Sequence, residues 1–317
     1  MRLDNFDLNL LVAFDVLLRE RNVTRAATRL NVTQAAMSAA LKRLRESFQD
    51  DILTQHGKKM IPTARAIYLA PKVADTILQL RSLISSGKGF DPATSDRCFK
   101  IAASDYITTV LIVPLLDVLQ REASHVTLDI SLPDQDVAEQ LTNGELDLLL
   151  TPEEFVHPDH PRDLLFEERF VVVGWSGNPV MQQPLTIDDF FDSGHVAVQI
   201  GHRNTFIEHA LEAHEKKRRI EITAPSFIQA PWLIPGTMRL ALMHERLAKI
   251  VAPSASLIIA EPPIKLPVMQ EMMQFHASRT TDEALIWLRD KLQQVGANSD
   301  ISIRHNQIMA NPSGIQE

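Results

Sequence analysis

The chain has 317 residues, 45% of them hydrophobic and 23% charged, and a formal charge of −8. That length permits more than one domain, and the acidic balance excludes a uniformly basic nucleic-acid coat. One cysteine excludes an intrachain disulfide. No run reaches roughly 18 apolar residues, so neither a membrane span nor a secretory leader is expected, and the chain is expected in the cytoplasm.

The first predicted element is a helix over 8–19, where Leu8, Leu11, Val12, Phe14 and Leu18 recur at helical spacing and offer an apolar platform. Residues 22–45 then read as two short helices joined by a tight turn. Thr24 is placed to cap the first, and Ala26, Ala27 and Leu30 give it a narrow face that a second helix can approach closely. Asn31 stands at the turn because Asn tolerates the left-handed backbone, Val32 is expected to fill the corner, and Thr33 to cap the second helix. Met37, Ala40, Leu41 and Leu44 face inward at i, i+3, i+4 and i+7, which leaves Gln34, Ala35, Ser38 and Lys42 outside.

That outward set suits a major groove. Glutamine pairs bidentately with adenine, serine bonds to several base edges, and alanine meets a thymine methyl, all from the first half of a recognition helix. Lys42, Arg43 and Arg45 lie nearer its end, where phosphates are the expected partners. Taken alone, the pattern also fits an ordinary helical hairpin, and charge favours DNA. Residues 1–65 hold 11 Lys and Arg against 7 Asp and Glu, a net of +4, so the remainder of this −8 chain carries −12. After the basic exit, residues 52–63 place an apolar pair on each side of a Gly57-Lys58-Lys59 tip, the pattern of a small hairpin or wing. Thr24, Arg25, Thr33, Lys58 and Lys59 complete the expected DNA-contacting set.

From 64 to 86, Ala66, Ala70, Val73, Ile77, Leu80 and Ile84 are spaced 4, 3, 4, 3 and 4, a heptad seam that calls for a partner helix. In a DNA-binding chain the expected partner is the same helix of a second subunit; a helix packed on its own domain is the alternative. Pro71 predicts a kink, and residues 85–89 a hinge.

Residues 91–297 alternate apolar runs with helical patterns. Strands are expected at 99–103, 126–132, 146–150, 170–174, 196–200, 220–223 and 257–260, and helices at 111–122, 137–143, 205–215 and 282–294. This is an α/β series with mostly parallel sheets, long enough for two lobes. A first crossover is expected near 144–152 and a return over 267–276, with the last helix completing the first lobe. Paired crossovers make a cleft suited to a small ligand. Cys98, beside Phe99, is expected to be buried and inert, and the tail 298–317 to be disordered without an assigned role.

Catalysis finds little support. His202, His209 and His214, and His157 with His160, lack the Cys/His or His-Glu spacing of a zinc site, and neither a glycine-rich phosphate loop nor a nucleophile elbow is present. No metal, cofactor or enzymatic activity is expected.

With these residues assembled, the chain to about residue 297 resembles LysR-type transcriptional regulators. Ala26, Ala27, Leu30, Val32, Thr33, Gln34, Ala36, Met37, Ser38, Leu41 and Leu44 carry the likeness, with Pro62-Thr63 and the 145–147 region. Ala35 departs from the proline or serine usual there, without harm to a helix. Leu8 to Leu11, the Asp50-Asp51 pair, and residues 166–169 and 193–198 resemble the branch that holds nodulation protein D and regulators of aromatic catabolism.

The resemblance implies a winged helix-turn-helix over 1–63, a linker helix and hinge over 64–90, and a two-lobed, periplasmic-binding-protein-like effector domain over 91–297. It implies a regulator, usually tetrameric, that sits on promoter DNA and responds to a small, commonly aromatic or phenolic inducer, with RNA polymerase a candidate partner. By position, the cleft would be lined by Ser104, Asp105, Tyr106, Pro133, Thr151, Pro152, Gly201, His202 and Phe206, with Phe227 and Thr237 closing it, and Thr151 and Pro152 at the hinge. A ligand-independent repressor or architectural protein is the alternative.

Overall fold

The computed structural model describes residues 6–57, 59–85, 89–200, 203–212 and 214–298. Lys58, Gly201, His202, residues 86–88 of the expected hinge and the tail from 299 lie outside them. Two compact units form. One is built from the chain up to Gly89 with Glu139–Glu145 and Ser278–Asp282, the other from Phe90–Ala138, Leu146–Ala277 and the chain from Glu283.

The first unit holds α1 (Asn9–Glu20), α2 (Val23–Arg29), α3 (Gln34–Phe48), the hairpin β1 (Leu53–His56) and β2 (Lys59–Pro62), and α4 (Ala64–Ser85). Its core gathers Phe14 and Leu17 of α1, Met37, Leu41 and Leu44 of α3, and Ile52 and Leu53. The inward stripe of α1 is Leu10, Leu11, Ala13, Phe14, Val16 and Leu17, whereas Leu8 is exposed and Val12 and Leu18 are half-buried. Leu11 and Phe14 take inward positions as expected and Val12 and Leu18 pack against the same core, so the correction to the expected platform is confined to Leu8, which lies before the helix proper.

The turn between α2 and α3 is closed by backbone. Asn31 is left-handed at φ 53, and Val32 N–H donates to the Ala27 carbonyl at 3.0 Å. Val32 itself is 44% exposed, so it fills no corner. Asn22, in extended conformation, caps α2 by accepting from Arg25 N–H at 3.0 Å, which displaces Thr24 from that role into the first turn. Thr33 caps α3 as expected, accepting from Ala36 N–H at 3.1 Å.

α4 runs through Pro71 without a break. Ala66, Val73 and Ile77 are buried in the unit's own core, Ala70 and Leu80 are half-buried, and Ile84 is exposed. The expected inter-subunit seam is thereby corrected in its first two-thirds, because α1 already occupies that face. The apolar side chains of α4 left to solvent are Ile67, Tyr68, Leu83 and Ile84.

The second unit contains two sheets. In chain order come β3 (Cys98–Ala102), α5 (Asp105–Ile107), a π-helical turn, α6 (Val113–Glu122), β4 (Thr127–Ser131), α7 (Val137–Thr142, which from Glu139 is counted with the first unit), β5 (Leu148–Pro152), β6 (Arg162–Glu168) and β7 (Phe170–Trp175). Then follow α8 (Ile187–Asp192), β8 (Gly194–Ile200), β9 (Arg203–Asn204), α9 (Phe206–Glu212), β10 (Arg219–Ala224), β11 (Leu240–His244), α10 (Glu245–Val251), β12 (Leu257–Ala260), β13 (Met269–Gln274) and α11 (Glu283–Ala297). The first lobe's sheet runs β4-β3-β5-β13-β6 and the second's β10-β8-β11-β7-β12, with β9 beside β8. α11 packs on β6 and α6, returning the chain to the first lobe.

These sheets are mixed, not mostly parallel. β3 pairs parallel with β4 and β5, and β8 with β10 and β11, but β13 is antiparallel to β5 and β6, and β7 to β11 and β12. The strands adjoining the crossovers reverse direction as they change sheets. The first crossover is the single residue Arg169 between β6 and β7, not the 144–152 segment. Thr151 and Pro152 end β5 inside the first sheet, opposite Met272 and Glu271, so they are not at the hinge. The return runs between Ala260 and Met269, and most of the expected 267–276 crossover is strand β13. Cys98 is exposed rather than buried, since Phe99 takes the inward side of β3.

Candidate nucleic-acid interface and inter-lobe site

On α3, the buried line of Met37, Leu41 and Leu44 leaves Gln34, Ala35, Ser38, Lys42 and Arg43 exposed, so one helix face carries the polar set intact. Arg43 reaches Asp7 at 3.2 Å while remaining half in solvent. Arg25 and Arg29 turn back to Glu20 at 3.4 and 2.9 Å. Arg45 departs from the phosphate-holding expectation. Its Nε and Nη2 donate at 2.9 Å to the carbonyls of Asp51 and Leu53, fastening the start of the wing to α3. Asp50 does the same from the other side, accepting from Ile52 N–H at 2.7 Å and Thr63 Oγ1 at 2.6 Å. Thr63 in turn caps α4. At the hairpin tip Gly57 adopts φ +62, a conformation open to glycine, and Lys59 is exposed beside it.

In the second unit, side chains of both lobes meet beside the first crossover. Ser104 caps α5, accepting from Ile107 N–H at 3.2 Å, and so sets Asp105 and Tyr106 at the end of β3. Asp105 Oδ2 accepts from Ser226 Oγ at 2.5 Å and from Ile228 N–H at 3.2 Å, tying the first lobe to the second. Tyr106 is 2% exposed and lies parallel to His244 of β11, with centroids 3.8 Å and planes 9° apart. Phe227 stands edge-on to both rings, Phe170 touches His244, and Phe206 stacks on Phe170. The result is a wall of flat rings drawn from both lobes.

Beneath the rings lies a polar floor. Tyr106 O–H donates to Glu168 Oε2 at 2.5 Å, and Glu168 Oε1 accepts from Arg246 N–H at 3.1 Å, with Arg246 Nε 3.3 Å from Oε2. Burial pushes the Glu168 carboxyl up, against the opposing pull of the Tyr106 hydrogen bond and of Arg246. Burial also holds the Tyr106 phenol well above its ordinary value, with Glu168 adding to it. His244, fully enclosed, is held down at about 3, so its imidazole is neutral at neutral pH. Its Nδ1 is buried without a hydrogen-bond partner.

Of the sequence-derived effector positions, Ser104, Asp105, Tyr106, Phe206 and Phe227 converge here. Thr237 serves a local turn instead, donating to the Ile234 carbonyl at 2.7 Å and accepting from Arg239 N–H. Pro133 follows β4, and Thr151 and Pro152 belong to the first sheet. Glu168, Phe170, His244 and Arg246 went unnamed as site residues. Glu168 sits inside the 166–169 stretch that carried the branch resemblance, but His244 and Arg246 gave no local signal. Among the described residues no three His, Cys, Asp or Glu side chains gather as metal ligands. His209 meets Glu154 at 3.5 Å, and His157 and His160 pack ring to ring.

Comparison with known proteins matches both units. A profile described as "Bacterial regulatory helix-turn-helix protein, lysR family" covers residues 8–67, and one described as "LysR substrate binding domain" covers 94–297. Nodulation protein D 2 of Rhizobium tropici is 41% identical over 296 residues, spanning 93% of this chain and 94% of its own length. A probable transcriptional regulator of Pseudomonas aeruginosa superposes with a TM-score of 0.63 at 28% identity, covering 92% of this chain and 98% of its own. Full-length OxyR from the same organism gives 0.69 at 16% identity, covering 92% and 95%, a likeness of fold.

Proposed function

The chain belongs to the LysR family of bacterial helix-turn-helix regulators, and from that premise we propose that it reads promoter DNA through α3 and answers to a small aromatic or phenolic effector held between its lobes. The DNA-reading set is Gln34, Ala35 and Ser38 on the exposed face of α3, with Lys42, Arg43, Lys58 and Lys59 on the backbone and Thr24, Arg25 and Thr33 at the helix starts. The protein acts in the cytoplasm, where promoter DNA and RNA polymerase are. Self-association brings two reading heads to one site, and the exposed Ile67, Tyr68, Leu83 and Ile84 of α4 are surfaces that support it.

The observation that carries the effector reading is the wall of rings. Tyr106, Phe170, Phe206, Phe227 and the neutral His244 offer flat apolar surface, while His244 Nδ1 and the Asp105 carboxylate offer a few converging polar atoms, the make-up of a site for a planar hydroxylated ring. Entry of such a ring exchanges the Asp105–Ser226 bridge for contacts to the ligand, and this changes the set of the two lobes. One observation favours a second reading, a regulator without a ligand: the same rings are already packed against one another, with Tyr106 almost wholly buried.

Calorimetric titration of the full chain with simple phenols, hydroxylated bicyclic aromatics, benzoates and aliphatic acids separates the two. The effector reading expects saturable binding by an aromatic, weakened about tenfold, roughly 1.4 kcal/mol, by Asp105→Ala, which removes the carboxylate offered to the ligand and leaves the rings alone. Absence of binding by any aromatic at millimolar concentration leaves the ligand-independent reading standing.

A further inference from the structure

Two acidic side chains are buried side by side under the inter-lobe contact. In the β6–β13 ladder Glu271 lies opposite Phe166 and Met269 opposite Glu168, so Glu168, two residues from Phe166, projects from the same face diagonal to Glu271. Both glutamates are 1% exposed. Their hydrogen bonding differs sharply. Glu168 is fully engaged by Tyr106 O–H, Arg246 N–H and the Arg246 guanidinium, whereas Oε1 of Glu271 is buried with no hydrogen-bond partner.

The charges do not balance with both groups ionised. Around the pair stand Tyr106 from α5 and Glu245 and Arg246 from α10, with Asp105 next to Tyr106 in the chain and His244 of β11 stacked on the Tyr106 ring. Glu245 is drawn outward to Arg169 at 3.7 Å and Lys249 at 3.0 Å, and Asp105 is held by Ser226. Arg246 is the one cation of this set within ion-pair reach, and it also donates to the Gly296 carbonyl and lies over the Phe166 ring at 4.2 Å. One guanidinium answers one carboxylate. A second buried carboxylate beside the first would be unpaired and repelled, a state that burial forbids more strongly than any other available to it.

We propose that Glu168 and Glu271 hold one proton between them, with Glu271 the neutral member, and that this proton is a built-in latch on the inter-lobe contact. With Glu271 neutral, Glu168 keeps both Tyr106 of the first lobe and Arg246 of the second. Loss of the proton sets a second negative charge against the same guanidinium and pulls Arg246 between two acids, which loosens the contact that aligns Tyr106 with His244. Burial and the neighbouring Glu168 both push the Glu271 carboxyl well above the ordinary range, consistent with a retained proton at neutral pH. The latch is a property of the protein without any ligand, so it stands or falls apart from the effector reading.

The sign follows from linkage. An unfolded chain releases the Glu271 proton in the ordinary carboxylate range, while the folded chain keeps it, so the folded state loses stability as pH rises from that range toward the raised value. Glu271→Gln keeps the shape and removes the proton. Thermal unfolding of the ligand-free full chain is expected to show wild type and Glu271→Gln alike near pH 4.5, then diverging in favour of the variant by roughly 3 °C per pH unit. Infrared spectroscopy of the wild type at pH 7 is expected to show a protonated carboxyl band that Glu271→Gln lacks. Parallel melting profiles from pH 4.5 to 8 would overturn the proposal. So would a wild-type spectrum without that band, whether or not the variant folds.

Discussion

Tyr106 and His244 lie face to face across two lobes, 3.8 Å between ring centroids, although 137 residues of chain separate them. The stack joins the end of β3 to the end of β11. Neutrality of the imidazole is a condition of it, because an enclosed imidazolium would carry an unpaired charge. His244 is held at about 3 in the folded chain and titrates near 6.5 when unfolded. The unfolded state therefore binds the extra proton first, and stability falls as pH drops from about 6.5 toward 3, by about 1.4 kcal/mol per pH unit from this group. His195, held down to about 4 mainly by burial, adds to the same limb. Denaturant unfolding at pH 7 and pH 5 is expected to show a smaller acid loss in His244→Gln than in wild type. Equal losses would mean that His244 does not carry this limb.

Arg45 and Gln34 sit on the same helix and have opposite expected phenotypes. Arg45→Ala leaves the carbonyls of Asp51 and Leu53 without a charged donor, so the first unit is expected to lose about 1.5–3 kcal/mol in denaturant unfolding. Gln34→Ala is expected to leave that stability within about 0.5 kcal/mol, since Gln34 is exposed, yet cost about 1–3 kcal/mol at one base position in operator binding. Lys42→Ala is expected to weaken all sequences alike and to flatten the salt dependence by about one unit. A Gln34→Ala loss spread evenly over every operator position would remove Gln34 from base reading.

α4 gives a similar contrast. Ile77 is buried in the core of the first unit, and Ile77→Ala is expected to cost about 2–5 kcal/mol of its stability. Leu83, 71% exposed, lies outside that core. Leu83→Asp is expected to leave unfolding unchanged while lowering the mass seen in sedimentation equilibrium and weakening operator affinity. An unaltered mass together with unaltered affinity would take the end of α4 out of the self-contact.

The reading head was legible in the sequence because its determinants are local. A cap, a left-handed turn and an i, i+3, i+4, i+7 apolar line act over one or two turns, and Thr33, Asn31 and the Met37–Leu41–Leu44 face follow from them. The wing was legible for the same reason, from an apolar pair on each side of the Gly57-Lys58-Lys59 tip. Where two local choices compete, neighbours decided: Asn22 took the cap that Thr24 also offered, and α1 claimed the α4 face that a heptad count assigned to another subunit.

The second unit divides differently. Apolar runs announced β5, β7 and β8, because central strands buried on both faces need continuous hydrophobic sequence. They could not announce direction, so the antiparallel β7 and β13, and with them the place of the crossover at Arg169, came only from the tertiary structure. The same holds for the polar floor. Ser104, Asp105 and Tyr106 were named by position from the family resemblance, but Glu168, His244, Arg246 and Glu271 are scattered over 104 positions. What makes them matter is burial beside one another, and burial is a property of packed strands from two lobes that no single segment encodes.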